Sequence, residues 1–125
     1  MILGVGIDQC EVSRMKRQLE TAADEFLPAV FLPSEISYCT DNRYPAQHFA
    51  ARFAAKEAAL KSLARAGGQG AFWHDMEVIR EAGGQPVLIL TGRLLELADG
   101  IGVRAMHVSL THTADLAAAV VIAEG

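Results

Sequence analysis

An α+β fold, with a mostly antiparallel sheet packed with one long helix and shorter helices, is predicted by three features of this sequence. Alternating strand-like runs stand at both ends of the chain. An alanine-rich helical run without Gly or Pro occupies the middle. Two short strand-like segments around a Gly-Gly turn follow it. The 125 residues suit a single domain, 1–125, and leave no room for two.

The elements follow in chain order. Residues 2–8, ILGVGID, alternate as a strand, with Leu3, Val5 and Ile7 on one face and Ile2, Gly4, Gly6 and Asp8 on the other. Residues 11–20 read as a helix. Residues 22–40 read as short helical pieces broken at Pro28 and Pro33, with Ser34 as N-cap before Glu35. The long helix starts after Pro45 and runs to about Arg65, where Gly67, Gly68 and Gly70 end it. Strands at 76–80 and 86–91 flank the turn Ala82-Gly83-Gly84-Gln85, and a short helix at 92–100 stops at Gly100 and Gly102. Strands at 104–111 and 116–123 close the chain as a hairpin, so the order is β-α-α-α-β-β-α-β-β.

Composition narrows the function. The chain is 51% hydrophobic and 21% charged, an ordinary globular balance that permits a real core. At this size surface is large relative to volume, so association would help bury the apolar excess. A net charge of −4 disfavours a nucleic-acid partner. No apolar run reaches the ~18–20 residues of a membrane span, and Met1 to Asp8 lacks a basic lead and a cleavage site. The expectation is a cytoplasmic protein with no membrane partner, in which Cys10 and Cys39, lacking metal-ligand spacing, are idle thiols. Against the acidic total, Arg14, Lys16 and Arg17 form a small basic cluster, read either as a solvated helix face or as a contact surface.

Few residues can carry chemistry. Asp8 ends the first strand beside two glycines, which leaves room for a ligand or metal, although a carboxylate there also serves as a helix cap. On the long helix, Phe49, Phe53, Leu60 and Leu63 make an apolar stripe; Lys56 falls on it, Glu57 and Lys61 at one edge, Arg52 at the other side. Glu57 and Lys61 fit a plain i,i+4 pair equally with a carboxylate and an ammonium facing one pocket, a hard-cation ligand beside a phosphate contact. Thr111, His112 and Thr113 offer hydroxyl and imidazole donors to an anion at a strand end. His48 and His74 give no reason for selection. No GxxxxGK[ST] or GxGxxG occurs, so P-loop and Rossmann readings fail. The residues alone reach metal-assisted phosphate chemistry on Asp8, Glu57 and Lys61, and stop there.

The motifs go further. G-I-D-Q-C-E-V-S-R-M at 6–15, R-F-A-A-K-E-A-A-L-K at 52–61, G-Q-P at 84–86 and V-S-L-T-H-T at 108–113, with F-L-P-S-E at 31–35 as a weaker match, resemble the short, trimeric holo-acyl-carrier-protein synthases from end to end. That resemblance implies a 4′-phosphopantetheinyl transferase-like fold. It also implies transfer of 4′-phosphopantetheine from coenzyme A to a serine of an apo acyl carrier protein, with release of adenosine 3′,5′-bisphosphate; the sequence does not select a fatty-acid, polyketide or other carrier. It implies Mg²⁺ on Asp8 and Glu57, and Lys61 on the phosphates. Glu57, or a metal-bound water beside it, becomes the candidate base. His112 and Thr113 resemble coenzyme A contacts supplied by the neighbouring subunit, and Arg52 and Pro86 further interface contacts. Arg14, Met15 and Arg17 resemble the docking surface for the acidic carrier. Two departures stand out. Ala64, Arg65 and Ala66 replace a Gly-Thr-Gly loop, where Arg65 could contact phosphate instead, and Gln9-Cys10 replace an aliphatic pair. The altered loop defines the alternative, a non-catalytic paralogue that binds carrier protein or coenzyme A. A small trimeric metal-dependent phosphohydrolase is a more distant one.

Overall fold

A computed structural model describes residues 1–68, 70 and 72–125. Its elements are β1 (Ile2–Glu11), α1 (Val12–Val30), α2 (Pro33–Thr40), α3 (Pro45–Ser62), β2 (Met76–Arg80), β3 (Pro86–Leu90), α4 (Gly92–Gly100), β4 (Ala105–His112) and β5 (Leu116–Glu124). Two antiparallel sheets form, one in the order β1-β5-β4 and one pairing β2 with β3. The predicted element order and the antiparallel sheet are both present.

α3 is the axis of the molecule. Alanines dominate its buried surface, and because they bring little side chain, the helix lies close to its neighbours on several sides. It rests on one face of the β1-β5-β4 sheet, against Ala117, Ala119, Val121 and Ala123 of β5. β1 makes the closest approach. A Cβ on Gly4 would stand 1.8 Å from the Ser62 carbonyl oxygen, and one on Gly6 1.8 Å from that of Ala58. The room left by the two glycines is therefore filled by helix backbone. The expectation that it admits a ligand beside Asp8 is corrected: the glycines dock the helix that carries Glu57 and Lys61.

Three local expectations also change. The helices expected at 11–20 and beyond are one element, α1, bent at Ala22, whose φ of −145° is not helical. Beside the bend, the Thr21 hydroxyl donates to the Arg17 carbonyl at 2.8 Å, a back-bond that loosens the helical ladder. Pro28 lies within α1 instead of ending it. Ser34 is not an N-cap, because Pro33 takes the first helical position and Glu35 Oε1 accepts the Leu32 N–H at 2.9 Å. The Ser34 hydroxyl donates to Glu77 instead. Finally, α3 ends at Ser62, and a single 3₁₀ turn over Ala64–Ala66 carries the chain to Gly67, whose φ of 83° is left-handed.

The other face of the three-stranded sheet is uncovered in the single chain. Ile2, Val5 and Ile7 are 60%, 57% and 67% exposed, with the half-buried Val120 and Ile122 on the same face of β5. Among the described residues, no helix is long and apolar enough to cross a membrane.

Candidate active site

Asp8 and Lys61 come together because β1 runs along α3. Lys61 reaches across to the strand, where its Nζ donates to the Ile7 carbonyl at 3.0 Å and stands 3.5 Å from Asp8 Oδ1. The side chains are 55% and 23% exposed, so water screens this pair and holding it costs little to give up. The ion pair that forms is thus Lys61 with Asp8, not the i,i+4 pair with Glu57. Glu57 is half-buried one turn earlier on α3. Burial pushes its carboxyl above the usual carboxylate range, and the Asp8 charge pushes the same way; Lys61 and Arg14 oppose them. Glu57, Asp8, Lys61 and Arg14 therefore share one electrostatic neighbourhood. Next to it opens a pocket of about 370 Å³ lined by Glu57, Leu60, Lys61, Ala64, Gly68 and Trp73.

Two neighbouring carboxylates, one of them held above its usual range partly by the charge of the other, suit a cation. Among the described residues no cluster of three or more His, Cys, Asp or Glu gathers at metal-ligand spacing. Mg²⁺ needs no such cage, since it commonly takes one or two carboxylates and fills its shell with substrate phosphates and water. Asp8 and Glu57 fit that requirement.

A second cluster lies at the other end of α3. His48, in the first turns of the helix, packs edge-to-face on Tyr38 and on His112, with ring centroids 5.8 and 5.7 Å away. Arg52, one turn further, is 1% exposed and lies 4.2 Å over the Tyr38 ring. Its Nε and Nη1 are buried without a hydrogen-bond partner, which is costly for a guanidinium unless something else pairs with it. Burial lowers the His48 pKa, and the charges of Arg52, His112 and Arg80 lower it further. Pro86 is the cross-strand neighbour of Arg80 at the start of β3. Arg52 and His112 thus gather with His48 and Tyr38, and the charge of Arg80, the cross-strand neighbour of Pro86, reaches His48. Sequence reading passed over His48 and Tyr38; only the i,i+4 spacing of His48 and Arg52 could have hinted at one of them.

His112 packs edge-to-face on His48, about two and a half helical turns from Glu57. Thr113 lies in the β4–β5 turn, where its hydroxyl accepts the N–H of Asp115 at 3.2 Å and of Leu116 at 3.1 Å. Arg14 and Arg17 are exposed on α1, as expected. Met15 is not: at 2% exposure it belongs to the core. Val12, Met15 and Leu19 recur at helical spacing on the inward face, so the arginines face outward and the methionine cannot dock a partner.

Fold and site together define a class. The 4′-phosphopantetheinyl transferase superfamily pattern matches residues 4–121, and the chain belongs to that superfamily. It is 46% identical over 125 residues to the holo-[acyl-carrier-protein] synthase of Syntrophus aciditrophicus, covering 100% of this chain and 98% of that one. It is 44% identical over 124 residues to the synthase of the same name from Koribacter versatilis, with 99% of each chain covered. The crystal structure of the Helicobacter pylori holo-[acyl-carrier-protein] synthase in complex with coenzyme A superimposes with a TM-score of 0.82 at 28% identity, covering 96% of this chain and 99% of that one.

Proposed function

We propose that this chain, as one transferase domain over residues 1–125, moves 4′-phosphopantetheine from coenzyme A to a serine hydroxyl of an apo acyl carrier protein and releases adenosine 3′,5′-bisphosphate. The observation that carries this reading is the convergence of Asp8, Glu57 and Lys61 beside a pocket, in a chain matched end to end by relatives of that name. Asp8 and Glu57 would hold Mg²⁺, which supplies charge neutralisation at the pyrophosphate. Glu57, or a water beside it, accepts the serine proton as the new O–P bond forms. Lys61 exchanges its weak, exposed pair with Asp8 for the phosphates and steadies the leaving group as the pyrophosphate P–O bond breaks.

The coenzyme A phosphates have a second anchor. The unpartnered nitrogens of buried Arg52 and the imidazole of His112 suit an anion, with Thr113 in the turn after β4 and Pro86 at the start of β3 as further contacts. That patch is separated from Glu57 along α3, so one bound coenzyme A would span two copies of the chain. The uncovered apolar face of Ile2, Val5, Ile7, Val120 and Ile122 provides the surface for such assembly, and we infer the homotrimer of the resemblance. Arg14 and Arg17 meet the acidic carrier. The buried, unpaired thiols of Cys10 and Cys39 agree with a cytoplasmic setting.

Release of adenosine 3′,5′-bisphosphate is the test. It should require coenzyme A, apo carrier protein and Mg²⁺ together. Release without carrier would mark a hydrolase, and no release under any combination would leave a binding protein.

A further inference from the structure

Lys56 and Glu35 form a buried pair that the chemistry above does not use. Both side chains are 0% exposed, and Lys56 Nζ stands 2.7 Å from Glu35 Oε1. The pair is fully wired. Lys56 also donates to the Val30 carbonyl at 2.9 Å and to the Trp73 carbonyl at 3.0 Å. Glu35 accepts the N–H of Leu32 and, through Oε2, that of Val78, each at 2.9 Å. One ammonium therefore ties the end of α1, the start of α2 and the segment before β2 to α3.

The Trp73 bond has a consequence for the site. Trp73 closes one side of the pocket that Glu57, Leu60 and Lys61 line from the helix. Its ring stacks on Phe53 of α3, with centroids 5.5 Å apart and planes inclined by 20°. Its backbone is held by Lys56, the residue next to Glu57. Ring and backbone are thus anchored on the same helix that carries the reacting groups. We propose that Glu35 and Lys56 are positioning residues that hold Trp73 as the fixed wall of the coenzyme A pocket, so that the pair sets affinity for coenzyme A and not for the carrier protein. The proposal rests on the transferase reading, because it takes the pocket's ligand to be coenzyme A.

The test uses the intact protein, in which Trp73 is the single tryptophan and reports its own position by fluorescence. Glu35→Gln combined with Lys56→Met neutralises both partners together, which spares the core an unpaired buried charge. In this folded double variant, Trp73 emission should shift to the red and become more open to acrylamide. The Kd for coenzyme A, measured by calorimetry without carrier, should weaken about tenfold, with KM for the carrier unchanged. Trp73→Leu leaves the pair in place and covers the case in which the double variant does not fold; it should weaken coenzyme A to a similar degree. Unchanged emission and unchanged coenzyme A affinity in the double variant, or unchanged affinity in Trp73→Leu, would overturn the proposal. Failure of the wild-type protein to bind coenzyme A at all would overturn the transferase reading beneath it.

Discussion

Two lysines of the same helix make opposite use of a carboxylate. Lys56 meets Glu35 at 2.7 Å with both side chains at 0% exposure, and each group has further buried partners. Lys61 meets Asp8 at 3.5 Å with side chains 55% and 23% exposed. The first pair cannot exchange partners, because any opening strands a charge away from water. The second exchanges easily, because water already screens it. A charge that must grip and release phosphate belongs to the second kind. A charge that must keep a pocket in shape belongs to the first. On the proposed function, the KExxxK spacing places one of each on α3.

The contrast breaks most visibly at Lys56. Lys56→Met leaves the Glu35 carboxylate buried and unpaired, and should cost about 3–5 kcal/mol of stability, read as a fall in the urea midpoint. In the wild type, burial lowers the Lys56 pKa and Glu35 opposes that shift, so the ammonium relies on this carboxylate to stay charged. Next in size is the carrier surface. Arg14→Glu replaces attraction with repulsion toward an acidic helix and should raise the carrier KM by about 2 kcal/mol in equivalent terms, with KM for coenzyme A little changed. Salt should shrink the effect, since exposed charges are screened beyond ~10 Å at ~0.1 M. An unchanged carrier KM at low salt would leave the basic cluster a solvated face.

Glu57 should show a smaller effect on stability and a definite one on pH. Its folded pKa is raised. Such a group stabilises the fold fully below its unfolded pKa, and that contribution is lost as pH rises through the folded pKa. Glu57→Gln stays neutral, so it should match wild type near about pH 4 and melt higher than wild type near about pH 7. Equal melting of Glu57→Gln and wild type near about pH 7, measured without Mg²⁺, would contradict the cost of charging this half-buried carboxyl. Smallest of all, Lys61→Met should change stability by about 1 kcal/mol or less while turnover collapses. A large loss of stability there would erase the distinction between the two lysines.

Glu57 and Lys61 were legible as a pair because they lie one helical turn apart, whereas β1 runs on through Asp8 to Glu11 and only the docking of that strand along α3 brings Asp8 to Lys61. Gly4 and Gly6 misled because an absent side chain looks the same whether a ligand or a helix fills the space. Here the carbonyls of Ser62 and Ala58 fill it. Met15 misled in a different way, since its spacing from Val12 and Leu19 already marked an inward face, yet its position between two exposed arginines suggested a surface. Glu35 and Lys56 are 21 residues apart, and His48 meets a histidine of a distant strand. Pairings of that reach depend on how α2 and β4 settle on α3, which no local pattern encodes.

The most direct measurement is the intact mass of an apo acyl carrier protein after incubation with coenzyme A and Mg²⁺, run with wild type and with folded Glu57→Gln. Wild type should add one phosphopantetheinyl group to a single serine, and the variant should add none in the same time. A carrier left unmodified by wild type, or modified equally fast by the variant, would contradict the assignment of transfer to the Asp8–Glu57–Lys61 site.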